Sequence, residues 1–562
     1  MLKILSVALA LLLFTLPAAA QVTAEESLDR LGDEILENFQ SFYPVLATNK
    51  GIHKYDYRFT DYSPASVGAE VAKLKKFQSR LLQYKPDLMA VEARIKWKLL
   101  KSNVDIALHN LEKVKWYQRS SYIYIDDAIN GIYLILSSPY AALDVRALNI
   151  IARLKALPDL LAQAKKNLRR PAPVYLRLTE EYIVTGISFF RTMAEELRME
   201  LPPLAAEIDG ATERAIAAME DFQNYLQKVT PGAEGAFAVG KEAFNYKLKN
   251  EYFLDYDVDS LLKIGETLFR DADSAYHAYE GWLDSNRAEV DSLFVLTCLT
   301  KQDLLDYYNW EIEQTRLYLI QKDIVTVPED IAECIAVETP QFLRNVISSI
   351  AYQPAGTFNT NQTGYFYVRP ISDSLEDAQK EAYFRFINRR GFKGSVVHEA
   401  FPGHHLQFYM ASLVDDDVRK WQDNILYSEG WTLYCEEMMY ESGFYGSDKR
   451  RYLNILGGIR FRAARIIADV KLHTGQFSID SAVAWMTDVL GSDSSFIRIE
   501  VNRYAMQPTV PMSYLIGKGE VIKLRDDLKV REGENFNLKD FHDRYLSVGM
   551  IPPKLIRELW GL

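Results

Sequence analysis

Cysteine is almost absent from this chain, with three residues, Cys298, Cys334 and Cys435, among 562. Widely spaced and odd in number, they exclude a disulfide scaffold, and no Cys-x-x-Cys pair exists to build a thiolate zinc site. They read as buried apolar thiols. Glycine and proline are sparse, at 28 and 20 residues, which excludes collagen-like and mucin-like chains. A hydrophobic fraction of 48% excludes a wholly disordered one. Basic residues hold no excess: the net charge is −11, with both signs mixed along the sequence. A phosphate backbone needs a basic stripe, so nucleic acid is not an expected partner. No fixed-period repeat is present, which argues against a solenoid.

Long apolar runs are missing too, outside the first twenty residues. There, Lys3 precedes an apolar stretch from Ile4 to Pro17, and Ala18-Ala19-Ala20 supplies a small-residue cleavage pattern. Residues 1–20 therefore read as a signal peptide, and the protein as exported, periplasmic or secreted. No cysteine follows the apolar run to accept a lipid. Nothing downstream approaches ~18 uninterrupted apolar residues, so no stable membrane insertion is expected once the signal is removed.

What is present is helical periodicity. Apolar residues recur at i, i+3, i+4 and i+7 over Val71–Leu82, Ala90–Val114, Leu148–Leu168, Tyr175–Leu197, Ala211–Val229, Leu261–Trp282, Lys301–Ile320 and Asp373–Arg390. Breakers fall between them at Pro171-Ala172-Pro173, Pro202-Pro203 and Pro231-Gly232. One strand is evident, the aromatic run Gly364-Tyr365-Phe366-Tyr367-Val368 closed by Pro370. The expected fold is mostly α. A single domain over 21–562 is divided into an N-terminal helical part, 21–355, and a catalytic part, 356–562, with a small β element just ahead of the richest chemistry.

That chemistry lies in His398-Glu399-Ala400-Phe401-Pro402-Gly403-His404-His405, which holds three of the chain's eight histidines. His-Glu followed by another histidine one or two turns on is the pattern of zinc hydrolases. Two imidazoles hold the metal and the glutamate takes a proton from the metal-bound water. The spacing departs from the usual four residues. On a regular helix His404 would lie about 9 Å along the axis from His398 and on the far side; His405 would recover the face but about 10.5 Å away. The backbone must bulge, and Pro402 and Gly403 allow it. Helix geometry alone does not choose between the two histidines. The structural alternative is a helix end with two solvent histidines, but Val396, Val397, Leu406, Phe408 and Tyr409 suggest buried helix on both sides.

A zinc site needs a third ligand. Glu429, at the start of a helix running to about Tyr440, is the best candidate, and Glu436 falls on the same face to orient a ligand imidazole. Glu437 points elsewhere. A helix-start carboxylate stabilised by the dipole is the bland reading of Glu429.

These residues resemble a bacterial family catalogued as domain of unknown function 885 and regarded as zinc peptidases. The resemblance is carried by His398-Glu399 through Pro402-Gly403-His404-His405-Leu406-Gln407, then by Ser428-Glu429-Gly430-Trp431 and Leu433-Tyr434. Arg460 to Asp469 with His473, Arg503-Tyr504, Tyr514 and Gly517 add to it. So do Tyr43-Pro44, Ala47-Thr48 and Gly51 to Asp56 near the N-terminus, so it covers essentially the whole mature chain. A more distant likeness is to thimet-oligopeptidase-type and other thermolysin-like zinc peptidases, in which the second histidine also follows glycine and the ligand glutamate lies 25 residues beyond it. Here too 25 residues separate His404 from Glu429. That likeness selects His404 as the ligand and leaves His405 as a substrate contact. It implies a large helical body around a substrate channel. An edge strand beside the zinc helix would bind the peptide backbone, the candidate being the strand that begins Gly364-Tyr365.

The family resemblance also implies that Arg503 to Gly517 lines the site. Arg503 would bind a substrate carbonyl or carboxylate, and Tyr514 or Tyr504 would stabilise the oxyanion. His473 would be a second-sphere acid or substrate contact. The chain departs from the family at Pro508-Thr509-Val510-Pro511, where a Pro-Gly-Gln-Ala run is common, and so loses a glutamine contact.

The expected function is an exported zinc peptidase acting on oligopeptides. His398, His404 and Glu429 hold Zn²⁺, and Glu399 activates the water. Two alternatives use the same residues differently: a zinc-dependent amidase on cell-wall peptide fragments, and a non-catalytic helical binding protein. Capture of a terminal amine or a terminal carboxylate is equally open at this level.

Overall fold

The computed structural model describes residues 23–286, 300–344, 347, 349–371, 375–380, 392–446 and 448–562. The signal segment 1–20, Cys298 and most of the helix expected over Asp373–Arg390 lie outside the described residues.

Capping and periodicity set the N-terminal helices. Helix α1 (Ala24–Phe42) starts on a capping box, where Thr23 Oγ1 accepts the Glu26 N–H and the Glu26 carboxylate accepts the Thr23 N–H. Helices α2 (Pro64–Leu81) and α3 (Val91–His109) pack beside it. Four further helices then form a bundle: α4 (Tyr122–Ser137), α5 (Leu143–Asn167), α6 (Pro173–Glu200) and α7 (Ala205–Leu226). Ile125, Ile129, Leu154, Ile183 and Ile216 fill its interior. The breakers at Pro171–Pro173 and Pro202-Pro203 sit in the connections on either side of α6.

Helices α8 (Val258–Ser285) and α9 (Lys301–Lys322) lead into a three-stranded sheet. Its strands are β1 (Cys334–Glu338), β2 (Ile350–Gln353) and β3 (Gly364–Val368), in the order β1-β3-β2. β3 runs parallel to β1 and antiparallel to β2. The division at 355/356 therefore cuts through the sheet, since two strands precede it and the third follows.

Six later helices carry the candidate site residues: α10 (Phe392–Glu399), α11 (His404–Ser412), α12 (Ile425–Glu441), α13 (Arg450–His473), α14 (Ser494–Met506) and α15 (Val510–Glu532). One apolar core joins Leu28 of α1, Leu99 of α3, Val396 of α10, Trp431 of α12 and Leu524 of α15, so the two ends of the described chain share an interior. The fold is mostly α.

α12 and α15 cross backbone to backbone. A Cβ on Gly517 would lie 2.1 Å from the Leu426 carbonyl oxygen, and one on Gly430 would lie 2.4 Å from the Gly517 carbonyl carbon. Both contacts are to main chain, which cannot swing aside. Gly517→Ala is therefore expected to cost about 3 kcal/mol, the upper end for overpacking. Chemical denaturation checks it, and an unchanged midpoint would mean that the crossing tolerates a methyl group.

Candidate metal centre

Helix α10 ends at Glu399 and α11 begins at His404, and the break between them solves the spacing problem. The Ala400 and Phe401 N–H groups both donate to Val396 O, while Gln407 N–H restarts the ladder on Gly403 O. Pro402 has no N–H to offer. Its carbonyl accepts from Trp431 Nε1 at 2.8 Å, tying the break to α12. A Cβ on Gly403 would fall 1.8 Å from His398 O, so only glycine closes this turn.

The result brings His398, His404 and Glu429 together, one ligand atom from each lying within 4.8 Å of the others. His398 Nε2 is 3.3 Å, and His404 Nε2 3.6 Å, from Glu429 Oε2. A tetrahedral ion with bonds of about 2.1 Å spaces its ligands about 3.4 Å apart, so the trio fits zinc. The outer nitrogens are held as metal-ligating imidazoles usually are. His398 Nδ1 donates to Glu436 Oε1 at 2.8 Å, and His404 Nδ1 donates to Gln407 Oε1 at 3.3 Å. Arg462 anchors Glu436 in turn, at 3.0 Å.

Charge balance points the same way. Glu399, Glu429 and Glu436 crowd around the two imidazoles, with Arg462 and Lys518 acting on Glu436, and a dication would offset the remaining negative charge. Burial works against charging His398, but the carboxylates of Glu399, Glu429 and Glu436 outweigh it and hold the imidazole at about 10. Burial likewise opposes ionisation of Glu429, which the two histidines overcome, keeping it well below the usual carboxylate range. Glu399 goes the other way: burial raises it more than His398 and His404 lower it. A half-buried carboxylate with a raised proton affinity suits a general base. Glu437 turns away to an ion pair with Lys518.

A second cluster adjoins this one. The Tyr514 ring packs 4.1 Å from the Arg465 guanidinium, and its phenol feels the charges of Glu429, Arg465 and Arg503. Burial is the main cause that keeps that phenol protonated. Arg503 Nη2 binds Glu500 Oε2 at 2.9 Å, and Arg465 approaches the same oxygen at 3.7 Å. Two guanidinium groups share one carboxylate there, and Arg465 Nε and Nη2 have no hydrogen-bond partner among the described residues. Arg503 also lines a half-open chamber of about 820 Å³.

Four sequence expectations do not hold. β3 is the middle strand, bonded on both sides, so Gly364 and Tyr365 cannot offer an edge to a peptide. β2 is the edge strand that packs beside α10. Arg369 N–H donates to Ser349 O, which sets the bonded register and turns the backbone groups of Ile350 and Tyr352 outward. His405 is no substrate contact: it is fully buried, Tyr352 OH donates to its Nδ1 at 2.9 Å, and its Nε2 donates to Ala332 O at 2.7 Å. Burial pulls it down to about 4, so it stays neutral. His473 is equally buried, donates from Nε2 to Tyr504 O, and is pulled by burial to about 4. Tyr504, 1% exposed, gives its hydroxyl to Glu500 at 3.2 Å and supports that carboxylate from behind.

Sequence reasoning missed the placement of Tyr352, whose ring centroid is 6.3 Å from that of His404, and the roles of Arg462, Arg465 and Gln407. Gln407 alone left a signal, three residues after His404 on a helix. The departure at Pro508–Pro511 forms the turn into α15, where Thr509 takes φ +74° and its N–H donates to Asp469 at 3.2 Å.

His404→Ala should strip zinc more completely than His405→Ala, and Glu436→Gln should weaken zinc binding about 10- to 100-fold. Metal content after dialysis checks both; the reverse order of the histidine variants would transfer the ligand role to His405.

Two solved structures share this architecture. A proposed lipoprotein of unknown function from Shewanella oneidensis superimposes with a TM-score of 0.76 at 20% identity, covering 95% of this chain and 100% of that one. A proposed lipoprotein from Colwellia psychrerythraea gives 0.75 at 19%, covering 96% and 99%. No curated protein matches the chain. The sequence profile of one family spans residues 44–559, and this chain belongs to that family, described as bacterial proteins of unknown function (DUF885).

Proposed function

We propose that this protein is an exported zinc-dependent peptidase that hydrolyses oligopeptides. The observation that carries the reading is the joint placement of the His398–His404–Glu429 trio and the half-buried Glu399 carboxylate next to it. A binding protein with a structural metal has no use for that fourth group. Among the described residues no helix is long and apolar enough to cross a membrane, which accords with release after export.

Zinc bound by the trio would supply a Lewis acid that brings the pKa of a water molecule near neutrality. Glu399 takes a proton from the attacking water and returns it to the leaving amine nitrogen. Tyr514, kept protonated by burial, donates to the oxygen that gains charge. Arg465 and Arg503, two cations on one carboxylate, set a positive field on that side. The outer edge of β2 at Ile350 and Tyr352 offers main-chain groups to an extended peptide.

Glu399→Gln should keep zinc and lose about 10²- to 10⁴-fold in turnover. Metal analysis together with peptide and muropeptide hydrolysis, with and without chelator, tests this. A zinc-loaded, active Glu399→Gln protein would refute the mechanism, and turnover of muropeptides alone would move the substrate to cell-wall fragments.

A further inference from the structure

The two guanidinium groups beside Tyr514 carry more positive charge than their surroundings answer. Arg465 of α13 is 4% exposed, and its Nε and Nη2 have no hydrogen-bond partner among the described residues. Glu500 Oε2 stands 3.7 Å from Nη2, beyond hydrogen-bond reach. That oxygen is already claimed by Arg503 Nη2 at 2.9 Å and by the Tyr504 hydroxyl at 3.2 Å. Aromatic rings hold Arg465 on its other sides. Its Cζ lies 4.1 Å from the Tyr514 ring centroid, 5.2 Å from that of Tyr504 and 5.6 Å from that of Phe461. The rings supply no anion, because burial keeps both phenols protonated. Asp469, one turn along α13, supplies none either: burial pushes it up to about 8, and its Oδ1 accepts from the Thr509 N–H. Two permanent cations thus share one carboxylate.

A buried cation with donors left over is costly, and it marks a place for an anion. The planar fork of N–H groups on a guanidinium matches the two oxygens of a carboxylate. Arg503 is the open member of the pair. Its side chain is 27% exposed and lines the half-open chamber, so a ligand group can approach from that side. The pair also stands near the candidate metal centre. Arg465 lies one turn beyond Arg462 on the same face of α13, and Arg462 holds Glu436, the partner of His398. The Tyr514 ring lies by both, 5.9 Å from the Arg462 guanidinium as against 4.1 Å from that of Arg465.

We propose that Arg465 and Arg503 bind a carboxylate group of the peptide substrate, so that the site selects peptides carrying negative charge beside the bond to be cut. This rests on the peptidase reading. The carboxylate is that of the C-terminus or of an acidic side chain; the two share one chemistry, and the peptides below tell them apart.

The test uses the zinc-loaded full chain carrying Glu399→Gln, so that binding is read without turnover. Calorimetry compares tetra-alanine, tetra-alanine amide and Ala-Ala-Ala-Glu amide. A carboxylate-bearing peptide is expected to bind at least about tenfold more tightly than tetra-alanine amide. Preference for tetra-alanine assigns the site to the C-terminus, and preference for the glutamyl amide alone assigns it to an acidic side chain. Adding Arg465→Met should collapse the ratio to near one without lowering the thermal midpoint, since an apolar chain replaces a buried charge that lacks partners. Equal affinity for all three peptides, or no binding of any, overturns the proposal. So does a preference that survives Arg465→Met combined with Arg503→Met. Should those variants fail to fold, the same comparison on the zinc-free parent decides, because a preference that vanishes with the zinc belongs to the metal and overturns the proposal. Hydrolysis by wild type separates the two readings. A binding preference without hydrolysis of any peptide removes the peptidase and leaves the carboxylate site standing. Hydrolysis of all three at equal kcat/KM removes the carboxylate site and leaves the peptidase.

Discussion

The contact between Gly403 and the His398 carbonyl is the constraint on which the site depends. It lets a helix stop after Glu399 and start again at His404 within the space of four residues. A continuous helix would send His404 to the opposite face, whatever its chemistry. The glycine alone does not hold the break open. Pro402 removes one donor from the ladder, and its carbonyl is claimed by Trp431, which stands two residues after Glu429. The same hydrogen bond therefore sets the turn and brings the helix of the third ligand to it. That helix lies against α15 through Gly430 and Gly517, and α15 carries Tyr514. Three glycine contacts thus fix, in sequence, a histidine, a glutamate and a tyrosine.

Charge is arranged outward from that frame in alternating layers. Carboxylates surround the imidazoles, Arg462 closes the set at Glu436, and Arg465 and Arg503 share Glu500 one step farther out. Buried charges are tolerated when each has a neighbour of opposite sign and hydrogen bonds to fill its remaining valences. The inner cluster meets the condition with a dication in it. The outer cluster meets it only in part, since Arg465 keeps nitrogens without partners. Excess positive potential beside an acidic metal centre suits a reaction in which a carbonyl oxygen gains negative charge.

Much of this was legible in the residues, and the rest was not for identifiable reasons. Helices with an apolar stripe announced themselves, and the one strand rich in aromatic residues runs from Gly364 to Val368 as expected. The convergence of His398, His404 and Glu429 was legible because a metal site needs particular side chains at particular spacings. β1 and β2 were not: Cys-Ile-Ala-Val-Glu and Ile-Ala-Tyr-Gln are too short to show a period, and strand order is set by contacts far apart in the chain. Hence β3 read as an edge when it is the centre. His405 and His473 were drawn into the site by their proximity to it in sequence, but their fate turns on the partners Ala332, Tyr352 and Tyr504, which only folding supplies.

The same consideration explains why so much chain precedes the metal motif. The candidate ligands come from a stretch of 32 residues, His398 to Glu429, yet the chamber is walled by residues from both halves of the chain. Tyr43, Leu99 and Asp127 face Asn424 and Arg503 across one chamber, so neither half encloses that space alone. Two of the three strands precede residue 355, and one of them, β2, gives the edge beside α10. Helices α3 and α4 supply much of the chamber wall, through Leu99, Asn103, Ile123 and Asp127, while the candidate metal trio stays on α10 to α12. The chamber wall and the candidate site thus draw on different parts of the chain, coupled through one shared core.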